Sequence, residues 1–314
     1  MCGIAGRFLN STGAIGRDLV DLMEAQRHRG ADSTGFAIYG PPVATGFIVR
    51  AMGFDRDRLG ADLEDFLAVL RDHGSDFLAD PVTDDAGTAH VSIRMVIGEP
   101  RSLADWSRQA DGLCDRIEIQ SVGKSLEIIK DLGGAAEVAD KHGLRDLVGT
   151  HGLGHARLAT ESEISPTASH PFWARPFPDV AIVHNGQITD YYTWRDRLTR
   201  QGYRFMTYND SELIAVWISD RMSQGMTQGE ALKRSIREID GVFTYLIANR
   251  VSMGFAKDRF AIKPLVAAEI DGEMAVATEE QAVRTLYANE IDVINYDGPS
   301  LSRTWDIAPG RIAA

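Results

Sequence analysis

Short apolar runs separated by polar turns dominate the first fifty residues. The run CGIAGRFL (2–9) is almost continuously apolar and predicts a short buried strand. Between 17 and 27, leucine and methionine recur at helical spacing, which predicts an amphipathic helix. The runs GFAIYG (35–40) and GFIVR (46–50) then predict two further strands.

The pattern changes in the middle of the chain. The segment GADLEDFLAVLRDHG (60–74) predicts an amphipathic helix, and more helix and strand follow. Strand-like apolar runs then return, with helical segments between 190 and 238. Many short strands with grouped helices predict a layered α+β fold. We therefore predict one domain over 1–314 with an inserted α/β subdomain at 60–148.

The composition is that of a water-soluble protein with an acidic surface. The 314 residues include 33 Lys and Arg against 45 Asp and Glu, which gives a net charge of −12. Such a surface repels nucleic acid and anionic membrane, so neither is expected as a partner. No apolar run reaches membrane-spanning length, and the start of the chain does not resemble a secretory leader. Cys2 and Cys114 are the only cysteines, which argues against disulfides and favours a reducing, cytoplasmic setting.

Two patterns suggest a phosphate or metal site and fail on inspection. GKS (123–125) lacks the glycine that a phosphate-binding loop needs five residues before the GK pair, where the chain has Glu118. His151 and His155 have the spacing of metal ligands, but glycines surround them and no Cys or Asp cluster lies nearby. No metal site is therefore predicted.

Cys2 directly follows the initiator methionine and becomes the N-terminal residue if that methionine is removed. One residue would then carry a thiol and a free amine, two groups that ordinarily titrate within about one pH unit of each other. The amine could take the thiol proton, as in the N-terminal variants of the catalytic triad. The alternative is that Cys2 is a small apolar residue in the predicted N-terminal strand.

HNG (184–186) would supply the oxyanion donors that cleavage of an amide by Cys2 requires. It follows the apolar run VAIV, so Asn185 and Gly186 are predicted at a strand end. The Asn185 amide and the Gly186 N–H are neutral donors of the kind that stabilise a tetrahedral oxyanion. Asn-Gly is also a common turn sequence, and that alternative stays open.

Charged residues further along predict a pocket for an amino acid. GHARLAT supplies Arg157, whose planar guanidinium matches a carboxylate, and Thr160 as another hydrogen-bonding group. NDSEL supplies Asp210, which could hold an ammonium group. Arg157 could equally be a surface charge, and Asp210 or Ser211 could cap the following helix. Together with the thiol and the amide donors, these groups describe a pocket for glutamine.

Six motifs occur in the order found in class II glutamine amidotransferases, the N-terminal-nucleophile glutaminases, which the chain resembles from residue 2 to about 285. The motifs are MCGIAG, HRGADSTG, GHARLAT, the HP of SHPF, HNGQI and NDSE. DRFAIKPL and ATEE resemble two further segments of that family. The resemblance implies a four-layer αββα sandwich of the N-terminal-nucleophile hydrolase type, with Cys2 at a strand end between the sheets.

The resemblance also implies catalytic and substrate-binding roles by motif position. The implied catalytic residues are Cys2 as nucleophile and general base, with Asn185 and Gly186 as the oxyanion hole. The implied residues for the glutamine head group are Arg157, Thr160 and Asp210, with Arg29 closing over the substrate.

Some features differ from the family pattern, and they bear on where the ammonia goes more than on how glutamine is cleaved. Leu158 stands where many relatives have Trp, and Glu161 where a His is common. The chain ends about thirty residues after ATEE, too few for a synthase domain. It resembles stand-alone amidotransferase subunits of glutamate-synthase-like systems, in particular the A subunit of N-methylglutamate synthase (GlxB-type). That implies a hetero-oligomer with synthase subunits on separate chains, which would carry flavin and iron–sulfur clusters, and no cofactor in this chain.

Two other interpretations stay open at this point. An N-terminal-nucleophile amidohydrolase could act on a different amide, although the pairing of Arg157 with Asp210 would be wasted on an apolar acyl group. A non-catalytic regulatory subunit could keep a glutaminase-like shell, although every expected residue type of the site is present.

Overall fold

Two antiparallel sheets lie face to face at the centre of the molecule. The computed structural model describes residues 2–84, 90–158 and 165–307. The strands, in chain order, are β1 (Gly3–Gly13), β2 (Ser33–Tyr39), β3 (Phe47–Gly53), β4 (Val82–Asp84), β5 (Val91–Ile97), β6 (Ile117–Gly123), β7 (Leu126–Leu132), β8 (Gly149–Arg157), β9 (Phe172–Trp173), β10 (Ala181–Ile188), β11 (Gly241–Asn249), β12 (Ser252–Lys257), β13 (Val266–Ile270), β14 (Glu273–Ala277), β15 (Ile294–Asn295) and β16 (Ser302–Asp306). The helices are α1 (Ile15–Glu24), α2 (Leu59–Asp72), α3 (Leu103–Ala110), α4 (Ala135–His142), α5 (Tyr191–Arg200), α6 (Asp210–Ser223), α7 (Gln228–Glu238) and α8 (Glu280–Arg284).

Strand β1 lies inside the first sheet, whose order in the described ranges is β15-β13-β14-β1-β8-β2-β7. Ala5 of β1 pairs with Ala277 of β14 on one side and with Gly154 of β8 on the other. The second sheet has the order β16-β12-β11-β10-β9. The strand that follows Cys2 is therefore held between two others, away from any sheet edge.

Alternate residues of β1 enter different cores, because both faces of the first sheet are covered. Ile4 packs between the sheets with Val183 and Leu246 of the second sheet. Ala5 points the other way, into the core beneath α1, α4 and α8. This two-sided burial explains why the N-terminal run is continuously apolar rather than alternating.

Helices form the two outer layers of the molecule. Helices α1, α4 and α8 cover the first sheet, while α5, α6 and α7 cover the second, where Trp194, Trp217 and Leu232 are buried. The order helix, sheet, sheet, helix is the predicted αββα sandwich, and that prediction is confirmed. The longest helices, α2 and α6, have 14 residues each. Among the residues described, no helix has both the length and the apolar character needed to cross a lipid bilayer.

Residues from the middle of the chain form a third sheet, with strand order β4-β5-β3-β6. Helices α2 and α3 accompany it, and Phe66 meets Trp106 edge to face at 5.8 Å between ring centroids. The sheet spans 47–123, so β3 enters it before residue 60. Strand β7 lies inside the 60–148 block yet pairs with β2 in the first sheet. The inserted subdomain at 60–148 thus remains a prediction, and the strands of the third sheet lie between residues 47 and 123.

The GKS segment forms the turn between β6 and β7. The backbone N–H groups of Lys124, Ser125 and Leu126 donate to the Asp179 carboxylate at 2.9, 2.8 and 3.0 Å. These donors therefore bind a carboxylate of the protein itself, and they fasten this hairpin to the segment that leads into β10.

Candidate active site

The ends of β1, β8 and β10 converge on one cavity of about 450 Å³. Cys2 precedes β1, Arg157 ends β8 and Asn185 lies in β10, and all three line the cavity. This volume falls within the roughly 300–1,000 Å³ that small-molecule sites occupy. A larger hollow of about 630 Å³ lies beside the α6–α7 turn, but Cys2 is not part of its lining.

The Cys2 thiol is partly buried and faces the cavity rather than bulk core. The Leu158 N–H donates to Sγ at 3.4 Å, and Sγ lies 3.7 Å from the Leu158 carbonyl oxygen. The Asn185 amide donates from Nδ2 to the Cys2 carbonyl oxygen at 3.0 Å. Contacts from the residue after β8 and from β10 therefore fix the start of the chain, which would otherwise fray.

Asn185 and Gly186 lie within β10 and form no isolated turn. Gly186 has φ of +145°, and a Cβ there would come within 2.0 Å of the Val242 carbonyl oxygen. Only glycine fits this position, so the backbone can pass close to β11. The Asn185 side chain is buried, and its Oδ1 has no hydrogen-bond partner among the described residues. Both predicted oxyanion donors line the same cavity as Cys2.

The two predicted charges for a zwitterion also line this cavity. Arg157 is only 5% exposed, so it is not a surface charge. Asp210 opens α6, but the cap of that helix is Asn209, whose Oδ1 accepts from the Ser211 N–H at 2.9 Å. The Asp210 carboxylate accepts instead from the Ile188 N–H at 2.9 Å. It is thus held at the cavity wall by β10.

Asp210 is ionised in the folded protein. Burial raises its pKa, but the neighbouring His184 and the Ile188 N–H lower it by more, and the pKa lies below the ordinary value. A carboxylate acceptor therefore faces a cavity that also holds the Arg157 guanidinium.

Arg29 reaches the cavity from a short 3-10 helix and forms an ion pair with Glu279. Its Nε lies 2.5 Å from Glu279 Oε1, while His28 Nε2 lies 3.0 Å from Oε2 of the same carboxylate. Sequence reasoning assigned no role to Glu279, although it belongs to the ATEE segment. Thr160, predicted for the head group, lies outside the described residues.

Three buried histidines that the sequence did not single out as site residues also line the cavity: His155, His170 and His184. The rings of His155 and His170 stack at 4.0 Å between centroids. Burial lowers the pKa of His155 to about 3 and holds that of His170 well below its ordinary value, so both rings are neutral. The HP and HNG motifs contained two of these rings, but only the neighbouring Asn and Gly were assigned a function.

His151 and His155 do not form a metal pair. His151 lies within 2.8 Å of the Asn249 carbonyl oxygen and stacks on Tyr39, while His155 faces the His184 carbonyl oxygen at 3.2 Å. Across the described ranges, no group of three His, Cys, Asp or Glu residues could hold a metal ion.

Comparison with known proteins identifies the family. A family model described as "Glutamine amidotransferase domain" matches residues 155–285. The "Putative glutamine amidotransferase" of Methanothermobacter thermautotrophicus is 33% identical over 314 residues, which covers 98% of this chain and 100% of the relative. "Glutamine amidotransferase-like protein GlxB" of Rhizobium meliloti is 31% identical over 315 residues, which covers 99% of this chain and 97% of that protein.

Solved structures share the fold at lower identity. The structure described as "Structure of the allosteric regulatory enzyme of purine biosynthesis" matches with a TM-score of 0.59 at 18% identity, over 98% of this chain and 50% of that one. Glutamine phosphoribosylpyrophosphate amidotransferase from B. subtilis matches with a TM-score of 0.56 at 18% identity, over the same shares. These matches concern the fold alone. With the relatives matched along their whole length, the protein belongs to the class II glutamine amidotransferases, of the GlxB type.

Proposed function

We propose that the protein hydrolyses the side-chain amide of L-glutamine to glutamate and ammonia, with Cys2 as the nucleophile. The observation that carries the proposal is one cavity that holds a thiol, a buried guanidinium and an ionised carboxylate. Arg157 would bind the α-carboxylate of the substrate and Asp210 its α-ammonium group. The side-chain amide would then extend toward Cys2.

Cleavage begins once Met1 has been removed and Cys2 has a free amine. The amine takes the thiol proton, Sγ bonds to the amide carbon, and the carbonyl electrons move to oxygen. Asn185 Nδ2 carries two hydrogens, and the Cys2 carbonyl oxygen uses one of them, which leaves the other for the oxyanion beside the Gly186 N–H. The amine then gives its proton to the leaving nitrogen, and the C–N bond breaks to release ammonia.

Hydrolysis of the thioester completes the cycle. Water loses a proton to the same amine and attacks the acyl carbon, the C–S bond breaks, and the thiol is re-formed with glutamate as product. Arg29 and the predicted Thr160 would help to enclose the substrate during these steps. The Arg29–Glu279 ion pair supports this role, because it directs the guanidinium to the cavity wall.

We further propose that the ammonia passes to a synthase subunit on a separate chain. Ammonia in neutral water is mostly protonated and then no longer nucleophilic, so direct transfer to a docked partner preserves its reactivity. In a glutamate-synthase-like or N-methylglutamate synthase assembly, flavin and iron–sulfur clusters would belong to the partner chains. A cytoplasmic setting would keep Cys2 reduced.

Glutamine turnover by the purified chain tests the proposal. Wild type is expected to form glutamate and ammonia in equal amounts, whereas Cys2→Ala should form neither, and Cys114→Ala should match wild type. Intact mass should show that Met1 is absent and that a glutamine analogue with an electrophilic ketone adds once, at Cys2. Turnover by Cys2→Ala, or a wild type that neither turns over glutamine nor takes up the analogue, would overturn the proposal.

A further inference from the structure

A serine hydroxyl joins two buried histidines in the wall of the candidate active site. Ser211 Oγ lies 2.6 Å from His170 Nε2 and 3.0 Å from His184 Nδ1. Ser211 is fully buried at the start of α6, next to Asp210. A hydroxyl with two nitrogen neighbours must donate to one of them and accept from the other, because it has a single hydrogen.

The charge of Asp210 decides the direction of these bonds. Asp210 Oδ1 lies 3.4 Å from His184 Nδ1 and, as an ionised carboxylate, can only accept. A hydrogen on His184 Nδ1 therefore serves both Asp210 Oδ1 and Ser211 Oγ. Ser211 is then free to donate to Nε2 of His170, which is neutral because burial lowers its pKa. The hydrogen bonds that run from His170 through Ser211 and His184 to Asp210 can therefore all form with one placement of the hydrogens.

The other edge of His184 meets the oxyanion glycine. A Cβ on Gly186 would lie 2.9 Å from His184 Nε2, so the imidazole occupies the space that a side chain would need. Nε2 has no hydrogen-bond partner among the described residues. One buried ring thus contacts the carboxylate proposed for the α-ammonium group and the glycine proposed for the oxyanion.

We infer that Ser211 and His184 are positioning residues that hold the Asp210 carboxylate for the α-ammonium group of the substrate. This inference rests on the proposed function and deepens it, because it assigns the preference for an α-amino acid amide to a buried network rather than to Asp210 alone. Neither residue touches the reacting amide. Losing the network should therefore weaken recognition of the ammonium group while leaving the rest of the site in place.

A pair of inhibitors that differ only in the ammonium group isolates this effect. L-glutamate and glutarate are both dicarboxylates, but only glutamate has a positively charged ammonium group that can pair with Asp210. Wild type should bind glutamate more tightly than glutarate when each competes with glutamine. In Ser211→Ala, that preference should fall about 3- to 10-fold, the size expected for one lost hydrogen bond in the network. The change should come from weaker glutamate binding and a higher KM for glutamine, with kcat nearly unchanged.

Matched variants separate positioning from simple loss of packing. Ser219→Ala removes a second buried hydroxyl from the same helix, outside the network, and should keep the wild-type preference. His184→Asn keeps a donor near the Nδ1 position and should retain more of the preference than His184→Phe, which has none. If Ser211→Ala folds poorly, the comparison of His184→Asn with His184→Phe still tests the positioning role.

The outcomes distinguish this inference from the proposed function. A wild type that binds glutarate as tightly as glutamate would contradict the assignment of Asp210 and with it the proposed function. A wild type that prefers glutamate, with Ser211→Ala and His184→Phe keeping that preference in full, would overturn the positioning role alone. Equal losses for both inhibitors would also overturn it, because they would indicate general damage to the cavity.

Discussion

Asn185 donates from its amide to the backbone oxygen of Cys2 across 183 positions of sequence. Cys2 leads into the first sheet and Asn185 lies in the second, so this bond joins the sheets at the mouth of the cavity. The residue proposed to stabilise the oxyanion therefore also holds Cys2, the proposed nucleophile, in place.

Asn185→Ala should lower kcat for glutamine by about 100- to 1,000-fold, the usual cost of removing one oxyanion donor. KM should change little, because the charged groups for the head group remain. Steady-state kinetics measure both constants, and Asn295→Ala on an exposed strand is the control. A kcat within threefold of wild type would exclude Asn185 from the oxyanion hole.

Gly186→Ala should destabilise the protein by more than about 1 kcal/mol and abolish turnover. The backbone has φ of +145° there, and the added methyl would meet the Val242 carbonyl oxygen at 2.0 Å. Gly202→Ala is the matched control, because Gly202 has φ of +99° but no atom within 4 Å of a Cβ. Urea unfolding should show the larger loss for Gly186→Ala. Equal losses would mean that the close approach of β10 to β11 adds nothing.

Arg157→Lys should raise KM for glutamine about 10-fold or more while keeping the positive charge. Lysine cannot make the two parallel hydrogen bonds that a guanidinium offers to a carboxylate, and hydrogen bonds to charged groups contribute roughly 1.5–3 kcal/mol. Arg200→Lys, at an exposed position of α5, should have no effect. An unchanged KM would show that the α-carboxylate binds elsewhere.

Asp131→Asn should make stability less dependent on pH below about 4. Burial raises the pKa of Asp131, but hydrogen bonds from His142, His90 and the Leu132 N–H outweigh it, and the pKa lies far below its ordinary value of about 3.9. A depressed carboxyl pKa stabilises the folded state above the unfolded pKa, and this contribution is lost as the pH falls toward the folded pKa. The variant should therefore be less stable than wild type at pH 7, by roughly 1.5–3 kcal/mol.

Urea unfolding between pH 7 and pH 3 checks that prediction. The difference between wild type and Asp131→Asn should shrink as the pH falls below about 4, because Asp131 then binds a proton in the unfolded state. Asp140→Asn, an exposed change on α4, should match wild type at every pH. A difference that stays the same between pH 5 and pH 3 would contradict the lowered pKa of Asp131.

The sequence predicted those elements whose local pattern determines them. The N-terminal strand is recognisable because residues such as Ile4 and Ala5 are buried on opposite faces, so no polar alternation interrupts it. Arg157 and Asp210 could be found because a zwitterionic substrate requires opposite charges, whatever their place in the fold. The burial of Arg157 and the cavity that it shares with Asp210 needed the three-dimensional structure.

Features that depend on distant pairing could not be predicted. The strands β2 and β3 have similar apolar runs, yet one pairs with β8 and the other with β5 and β6. Nothing local distinguishes them, so the sequence did not predict that the third sheet begins with β3 at residue 47. The network through His184 and Ser211 was missed for the same reason, because it exists only where β10 meets the start of α6.

The position of β1 between β8 and β14 has a consequence for how the protein is made. The ribosome makes Cys2, the proposed nucleophile, early, but one neighbour of its strand comes from residues 149–157 and the other from residues 273–277. The strand that follows Cys2 cannot complete its pairing in the sheet until the residues of β14 have left the ribosome. If Cys2 acts as proposed, a growing chain would therefore not cleave glutamine before the residues of β14 have been made.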